Sequence, residues 1–137
     1  MLQHHETNRQ KRAAFTLMEM LVVVAIIVAL AGLGGYYFMG ALEEAKVDAG
    51  KTNLKTLTNA CDAYSMKRGG YPDSLQQLLN KDEMGGPYVK GPEFLLDPWG
   101  HPFNYDKGGA KNQQMAPDIS FNHPKTGEMY GNWPKGR

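Results

Sequence analysis

The clearest pattern in the sequence is an apolar run near the N-terminus. No charged side chain occurs from Met20 to Leu42, and the single carboxylate of Glu19 stands just before the run. About 20 apolar residues, at ~1.5 Å rise each, span the ~30 Å hydrocarbon core of a bilayer. The run is therefore long enough to form a transmembrane helix.

A one-sided pattern follows from Ala41 to Arg68. Apolar residues recur there at steps of 7, 3, 4 and 3 positions, namely at Val47, Leu54, Leu57, Cys61 and Tyr64. This spacing places them on one face of a helix, which we expect to cover a small β-sheet. Gly69 and Gly70 are expected to end the helix. Cys61 is predicted to be a buried thiol, since no base accompanies it in the sequence.

The remaining residues, 69–137, are rich in turn-forming residues. All eight prolines and eleven of the sixteen glycines follow Arg68. A short helix is predicted over residues 74–79, with Asp73 or Ser74 as its cap. Two short strands are predicted over residues 102–106 and 118–122, followed by a final turn over residues 131–134.

Composition argues against several functional classes. A formal net charge of +1 over 137 residues argues against a nucleic-acid-binding protein, which needs a basic surface. The single cysteine excludes an intrachain disulfide and a multi-cysteine zinc site. The histidines lack the helical spacing of zinc enzymes, and no nucleophile–base pair is evident. We therefore predict neither an enzyme nor a metal centre.

The first 14 residues form a polar, basic leader. Its three basic residues outnumber its single carboxylate, Glu6. Positive charge beside a membrane segment favours the cytoplasmic side, so we predict a cytoplasmic N-terminus and a C-terminal part across the membrane. An ordinary secretory signal peptide, cut after the Ala-x-Ala sequence that ends at Ala31, is the alternative.

The residues that join the leader to the apolar run resemble the cleavage motif of type IV prepilins; they are Ala14-Phe15-Thr16-Leu17-Met18-Glu19. The resemblance implies that a prepilin peptidase cuts between Ala14 and Phe15, and that the new terminal amine of Phe15 is methylated. Most members of the family have glycine before the cut. With Ala14 in its place, we expect slower or unchanged cleavage.

Glu19 has a physical reason to carry its charge at this position. It lies about one helical turn, ~6 Å, past Phe15. A neighbouring subunit staggered by that distance could place its own Phe15 ammonium beside this carboxylate. The pair would neutralise two charges in an apolar filament core and fix the axial register. A carboxylate that reaches the lipid headgroups is the simpler alternative.

The C-terminal half indicates which branch of the prepilin family is involved. The sequence Asp97-Pro98-Trp99-Gly100, with Tyr71-Pro72 before it and Gly131-Asn132-Trp133 near the end, resembles the major pseudopilins of type II secretion. The resemblance implies an α+β, type IV pilin-like fold, in which a long N-terminal helix packs on a small antiparallel β-sheet. The expected parts are a cleaved cytoplasmic leader (1–14), a transmembrane and assembly helix (15–40), its amphipathic continuation (41–68) and a periplasmic α+β part (69–137).

The same resemblance implies a structural subunit of a periplasmic filament, the pseudopilus, whose growth drives protein export from the periplasm. The implied partners are further copies of the chain, minor pseudopilins, the prepilin peptidase and methylase, the inner-membrane assembly platform and membrane lipid. A type IV pilus subunit for adhesion or DNA uptake is one alternative. A membrane-tethered periplasmic binding module is another.

Five charged residues follow the apolar run and could pair between subunits, although a solvated helix face is the plainer interpretation; they are Glu43, Glu44, Lys46, Asp48 and Lys51.

The C-terminal loop departs from the family in its metal ligands. Major pseudopilins typically bind calcium there through aspartates, but Met129 and Tyr130 stand where some of these aspartates would lie. Calcium prefers about six to eight oxygen ligands, several of them carboxylates. We therefore predict no tight calcium site and no cofactor. Lys125 could supply a fixed cation instead.

Overall fold

Helix α1, Leu17–Arg68, is the longest element of the protein. The structure is a computed structural model that describes residues 14–134, so the predicted leader lies outside the described residues except for Ala14. The chain divides into two units, residues 1–40 and residues 41–137, and α1 contributes to both.

The start of α1 is set by Thr16, so the helix begins two residues later than predicted. The backbone N–H of Thr16 donates to Glu19 Oε2 at 2.8 Å, and the N–H of Glu19 donates to Thr16 Oγ1 at 3.2 Å. These reciprocal bonds form a capping box, which satisfies two of the N–H groups that have no partner at a helix start. Phe15 consequently lies outside the helix.

In the first unit, every described residue from Ala14 to Gly40 is exposed. Within the part of the chain that the structure describes, α1 is the one helix long and apolar enough to cross a membrane. Water-soluble monomers rarely expose so large a contiguous apolar surface. This surface therefore requires lipid or other apolar segments around it.

The second unit contains a three-stranded antiparallel sheet. Its strands lie in the order β1 (Asn104–Asp106), β2 (Asp118–Asn122) and β3 (Met129–Gly131). In the register, Tyr105 of β1 is opposite Ile119 of β2, and Phe121 of β2 is opposite Tyr130 of β3. The long helix and this sheet confirm the predicted α+β, pilin-like fold.

The strand predictions are correct for β2 and need correction at the two edges of the sheet. The first strand was predicted from Pro102 but begins at Asn104. Pro102 has no N–H to donate to a ladder, and it forms only an isolated bridge with Leu96. Strand β3 was not predicted, and Gly131, assigned to the final turn, is its last residue.

Two short 3-10 helices follow α1 in the sequence and precede the first strand. The helix predicted over residues 74–79 is a 3-10 helix, Leu75–Leu79. Ser74 is its N-cap residue but makes no side-chain capping bond, while Gln77 Oε1 accepts the N–H of Asp73 at 3.0 Å. The second 3-10 helix, Pro92–Leu95, was not predicted.

The core of the second unit is built on the apolar face of α1. The residues of α1 that are buried are Gly50, Leu54, Leu57, Ala60 and Cys61. The predicted apolar face is thus confirmed, with Val47 and Tyr64 half-buried at its ends. Burial raises the pKa of the Cys61 thiol to about 12. The thiol therefore stays protonated at neutral pH, as its predicted role in the core requires.

Gly50 allows the sheet to approach the backbone of α1. A Cβ atom at Gly50 would lie 2.6 Å from Cζ of Phe121 and 2.9 Å from its Cε2. Phe121 is 1% exposed, and its ring contacts the rings of Phe103 and Tyr130. The ring therefore has little room to move away from the helix.

Asp97 closes the turn that contains the Asp-Pro-Trp-Gly sequence. Its Oδ1 accepts the backbone N–H groups of Trp99 and His101 at 2.9 and 2.8 Å, and the residue is only 6% exposed. Gly100 adopts a φ of +88°, the left-handed region that favours glycine. The turn places the Trp99 ring beside Phe121, with 6.3 Å between centroids.

We predict that Gly50→Ala lowers the free energy of unfolding, although alanine favours helices. The helix gains ~1 kcal/mol in propensity, but overpacking a core typically costs about 1–3 kcal/mol, and here the added methyl group would meet a buried ring. Thermal unfolding of the detergent-solubilised protein measures the change. Gly40→Ala is the matched control, since a Cβ there meets nothing within 4 Å. Equal melting of the two variants would contradict the prediction.

We predict that Asp97→Ala destabilises the second unit by roughly 1–3 kcal/mol, because two backbone N–H groups lose their acceptor. Asp97→Asn keeps an oxygen at the same position and should retain most of the stability. Urea unfolding followed by tryptophan fluorescence, to which Trp99 and Trp133 both contribute, compares the two variants. The assignment fails if Asn is as damaging as Ala.

Candidate functional site

The predicted cleavage bond, between Ala14 and Phe15, lies in exposed chain just before α1. Neither residue is helical, and Phe15 is 77% exposed. Exposed, non-helical backbone is where proteases bind most readily, because the segment need not first unwind. The capping box of Thr16 keeps this bond outside the helix.

Glu19 occupies the first turn of α1, where its carboxylate completes the capping box. From the sequence, only the charge of this residue is predicted to matter, and its hydrogen bond in the cap is found in the structure. The sequence does contain a signal for this bond, because Thr-x-x-Glu before an apolar run is typical of a capping box. A carboxylate also interacts favourably with the positive end of the helix dipole.

The five charged residues that follow the apolar run differ in their contacts. Asp48 and Lys51 pair with each other along the helix at 3.1 Å. Glu43 is half-buried and pairs instead with Lys125, which lies far away in the sequence. Within the described residues, Glu44 and Lys46 form no ion pair within 4.0 Å. The contact between subunits remains a prediction for this group.

Glu43 belongs to a cluster that joins α1 to the loop between β2 and β3, which we call the helix–loop cluster: Glu43, Trp99, His123 and Lys125. Lys125 Nζ lies 2.9 Å from Glu43 Oε1, and His123 Nε2 lies 3.6 Å from Glu43 Oε2. The Trp99 ring packs on the His123 ring, with 4.9 Å between centroids. The Asp97 turn and the loop thus meet at one carboxylate of α1.

His123 fixes the loop through its other ring nitrogen. The residue is 8% exposed, and its Nδ1 lies 3.1 Å from the backbone N of Lys125 and 3.3 Å from that of Thr126. Because both backbone groups donate, Nδ1 accepts, and the proton of the neutral ring is on Nε2, which faces Glu43. The two backbone bonds set the orientation of this side chain, whereas Glu43 Oε2 lies beyond hydrogen-bond distance of Nε2 and is a buried oxygen without a hydrogen-bond partner among the described residues.

The charge of Glu43 is stabilised by its partner. The hydrogen bond from Lys125 holds the pKa of the Glu43 carboxyl below its ordinary value. The two residues are 82 positions apart. No local sequence pattern could have connected them; from the sequence, Lys125 could only be named as a residue able to supply a fixed cation to the loop.

A groove of about 400 Å³ lies beside the helix–loop cluster. Its helix side includes Glu44 and Asp48, and its loop side includes Thr126 and Glu128. Carboxylates outnumber basic groups along it, so its surface is acidic.

Two family comparisons cover different parts of the chain. Residues 37–121 match the family described as type II secretion system (T2SS), protein G. Residues 9–34 match the prokaryotic N-terminal methylation motif. The second match includes the predicted cleavage bond and the capping box.

Several bacterial proteins named type II secretion system core protein G are similar to the chain. The protein from Pseudomonas aeruginosa is 34% identical over 113 residues, which cover 76% of this chain and 80% of the relative. That from Vibrio cholerae is 30% identical over 90% of this chain and 93% of the relative. That from Klebsiella pneumoniae is 29% identical over 93% of this chain and 99% of the relative. The chain therefore belongs to the type II secretion system protein G family, the major pseudopilins.

Proposed function

We propose that this pseudopilin is cleaved between Ala14 and Phe15, methylated on Phe15 and assembled into a periplasmic pseudopilus whose growth drives protein export. The observation that carries the proposal is the exposed apolar segment of α1, preceded by a capped helix start and an accessible bond. Before assembly, lipid covers this segment. In the filament, the same segments of neighbouring subunits cover one another.

The proposed topology is a single membrane pass with a cytoplasmic N-terminus and a periplasmic second unit. The basic leader supports this orientation through the preference of lysine and arginine for the cytoplasmic side. The polar surface and buried core of residues 41–137 suit an aqueous compartment.

Glu19 is proposed to set the register of the filament. In an apolar surrounding, an unpaired charge costs ~2.5–3.5 kcal/mol on insertion scales. Cleavage would create an ammonium group at Phe15, which could pair with the Glu19 carboxylate of a neighbouring subunit. Each charge would then be neutralised, and neither would be left unpaired in the apolar surrounding. The capping bond to Thr16 persists after cleavage but uses only Oε2 of Glu19, so the second carboxylate oxygen can accept the ammonium.

The proposed role is structural, without a cofactor or catalysis. The one cysteine thiol is buried and protonated. The partners we propose are further copies of the chain, minor pseudopilins, the prepilin peptidase and methylase, and the inner-membrane assembly platform. Glu44 and Lys46, which form no ion pair in the described part of the subunit, are the helix charges best placed to contact a neighbouring subunit.

Processing predicts a defined mass for the mature protein. We expect the intact mass to correspond to residues 15–137 plus one methyl group. Ala14→Gly should give the same product at an equal or higher rate. A product that begins after Ala31 would instead indicate an ordinary secretory signal and would exclude the prepilin route.

The two roles of Glu19 are separable by substitution. Glu19→Gln keeps a capping oxygen for Thr16 and loses the charge, whereas Thr16→Val loses the hydroxyl of the cap and keeps the charge. We expect Glu19→Gln to insert in the membrane normally but to lower filament yield by about tenfold or more, since the neighbouring ammonium stays unpaired. Thr16→Val should assemble nearly normally. Sheared-filament yield and membrane fractionation measure both properties, and the reverse result would assign Glu19 to capping alone.

A further inference from the structure

The loop between β2 and β3 does not fit the calcium ion that the family resemblance implies. Glu128 is its one carboxylate in residues 123–131, and its Oε2 accepts the Tyr130 hydroxyl at 2.8 Å. Across residues 14–134, no group of three or more potential ligands from His, Cys, Asp and Glu is close enough to hold a metal ion.

Asp118, at the opposite end of β2 from this loop, is also used by the protein. Its Oδ2 accepts the backbone N–H of Lys111 at 2.8 Å, and its Oδ1 accepts that of Asn112 at 3.0 Å. Both oxygens therefore hold the segment before β2. A metal ion would have to share these oxygens with the backbone donors.

A cation nevertheless holds the loop, and it is the ammonium group of Lys125. It crosses from the loop to Glu43 of α1 at 2.9 Å, beside His123, which contacts the other carboxylate oxygen at 3.6 Å. Within the loop, the N–H of Gly127 donates to the carbonyl of His123, and the N–H of His123 donates to the carbonyl of Glu128. The loop is thus closed on itself and tied to the helix at one carboxylate.

We propose that the Lys125–Glu43 pair, with His123 beside it, closes the β2–β3 loop onto α1 in place of a divalent metal ion. One ammonium group supplies a single positive charge where a calcium ion would bring two, and it is attached covalently to the loop. The fold of this loop then does not depend on calcium concentration.

The protein encloses the carboxylate end of the pair and leaves the ammonium end in solvent. The Glu43 side chain is 23% exposed and the imidazole of His123 next to it is 9% exposed, whereas the Lys125 side chain is 67% exposed. The lowered pKa of Glu43 has the hydrogen bond from Lys125 as its largest cause. Ion pairs that exclude part of the surrounding water are screened less than fully exposed pairs.

Hydrogen exchange of the full-length protein in detergent micelles tests the proposal, with calcium chloride or a chelator added. We expect wild-type exchange at Lys125, Thr126 and Gly127 to be the same in both conditions. Lys125→Met should speed exchange of these amides by about tenfold without changing exchange in α1, and Lys125→Arg should restore protection. Glu43→Gln combined with Lys125→Met should add little to the single change, since both break one contact.

Lys107→Met is the matched control, because Lys107 pairs with Asp73 at 2.6 Å elsewhere in the same unit. The loop amides should exchange in this variant as in the wild type. Protection that requires calcium, or that survives Lys125→Met unchanged, would overturn the proposal. So would an equal loss of loop protection in Lys107→Met. None of these outcomes depends on filament assembly, so the test is independent of the proposed function.

Discussion

The contact between Phe121 and the backbone of α1 at Gly50 is the constraint on which the second unit depends. Phe121 lies on β2, the middle strand, and its ring stacks on Tyr130 of β3 with 5.1 Å between centroids. The rings of Phe103 and Trp99 surround it at 5.6 and 6.3 Å. One side chain thus joins the helix, two strands and the Asp97 turn. A side chain larger than hydrogen at Gly50 would separate the helix from the sheet, since interiors are packed too densely to absorb it.

The position of the helix–loop cluster follows from that contact. His123 lies two residues past Phe121, so the pleat directs both side chains to the same face, although the strand has ended by then. Glu43 lies seven residues before Gly50, about two helical turns away on the same face of α1. The loop that follows β2 therefore lies near Glu43, and the Lys125 side chain can reach the Glu43 carboxylate. Apolar packing sets the approach, and the ion pair then selects the conformation of the loop.

Features with a short repeat could be predicted from the sequence, and features made by distant residues could not. The apolar run from Met20 to Leu42 and the buried face at Leu57 repeat over several helical turns, so their signals accumulate along the chain. Strand β3 has only three residues, which is too few for an alternating pattern of apolar and polar residues. Its position is set by pairing with β2. The contact between Lys125 and Glu43 depends on the whole path of the chain between them. Lys125 could be named as a source of charge, but its partner could not.

The capping box changes what the presence of glutamate at position 19 means. A glutamine would complete the same box with Thr16, because the cap needs only an oxygen that accepts a backbone N–H. The charge of Glu19 is therefore additional to the cap, and it stands beside a long apolar surface, where charge is costly. The dipole of α1 offsets only part of that cost, typically about 0.3–1 kcal/mol for an exposed group. A cationic partner at the same depth would offset more. In the proposed processing, the new N-terminal amine of Phe15 would supply such a charge, four residues before Glu19 in the sequence.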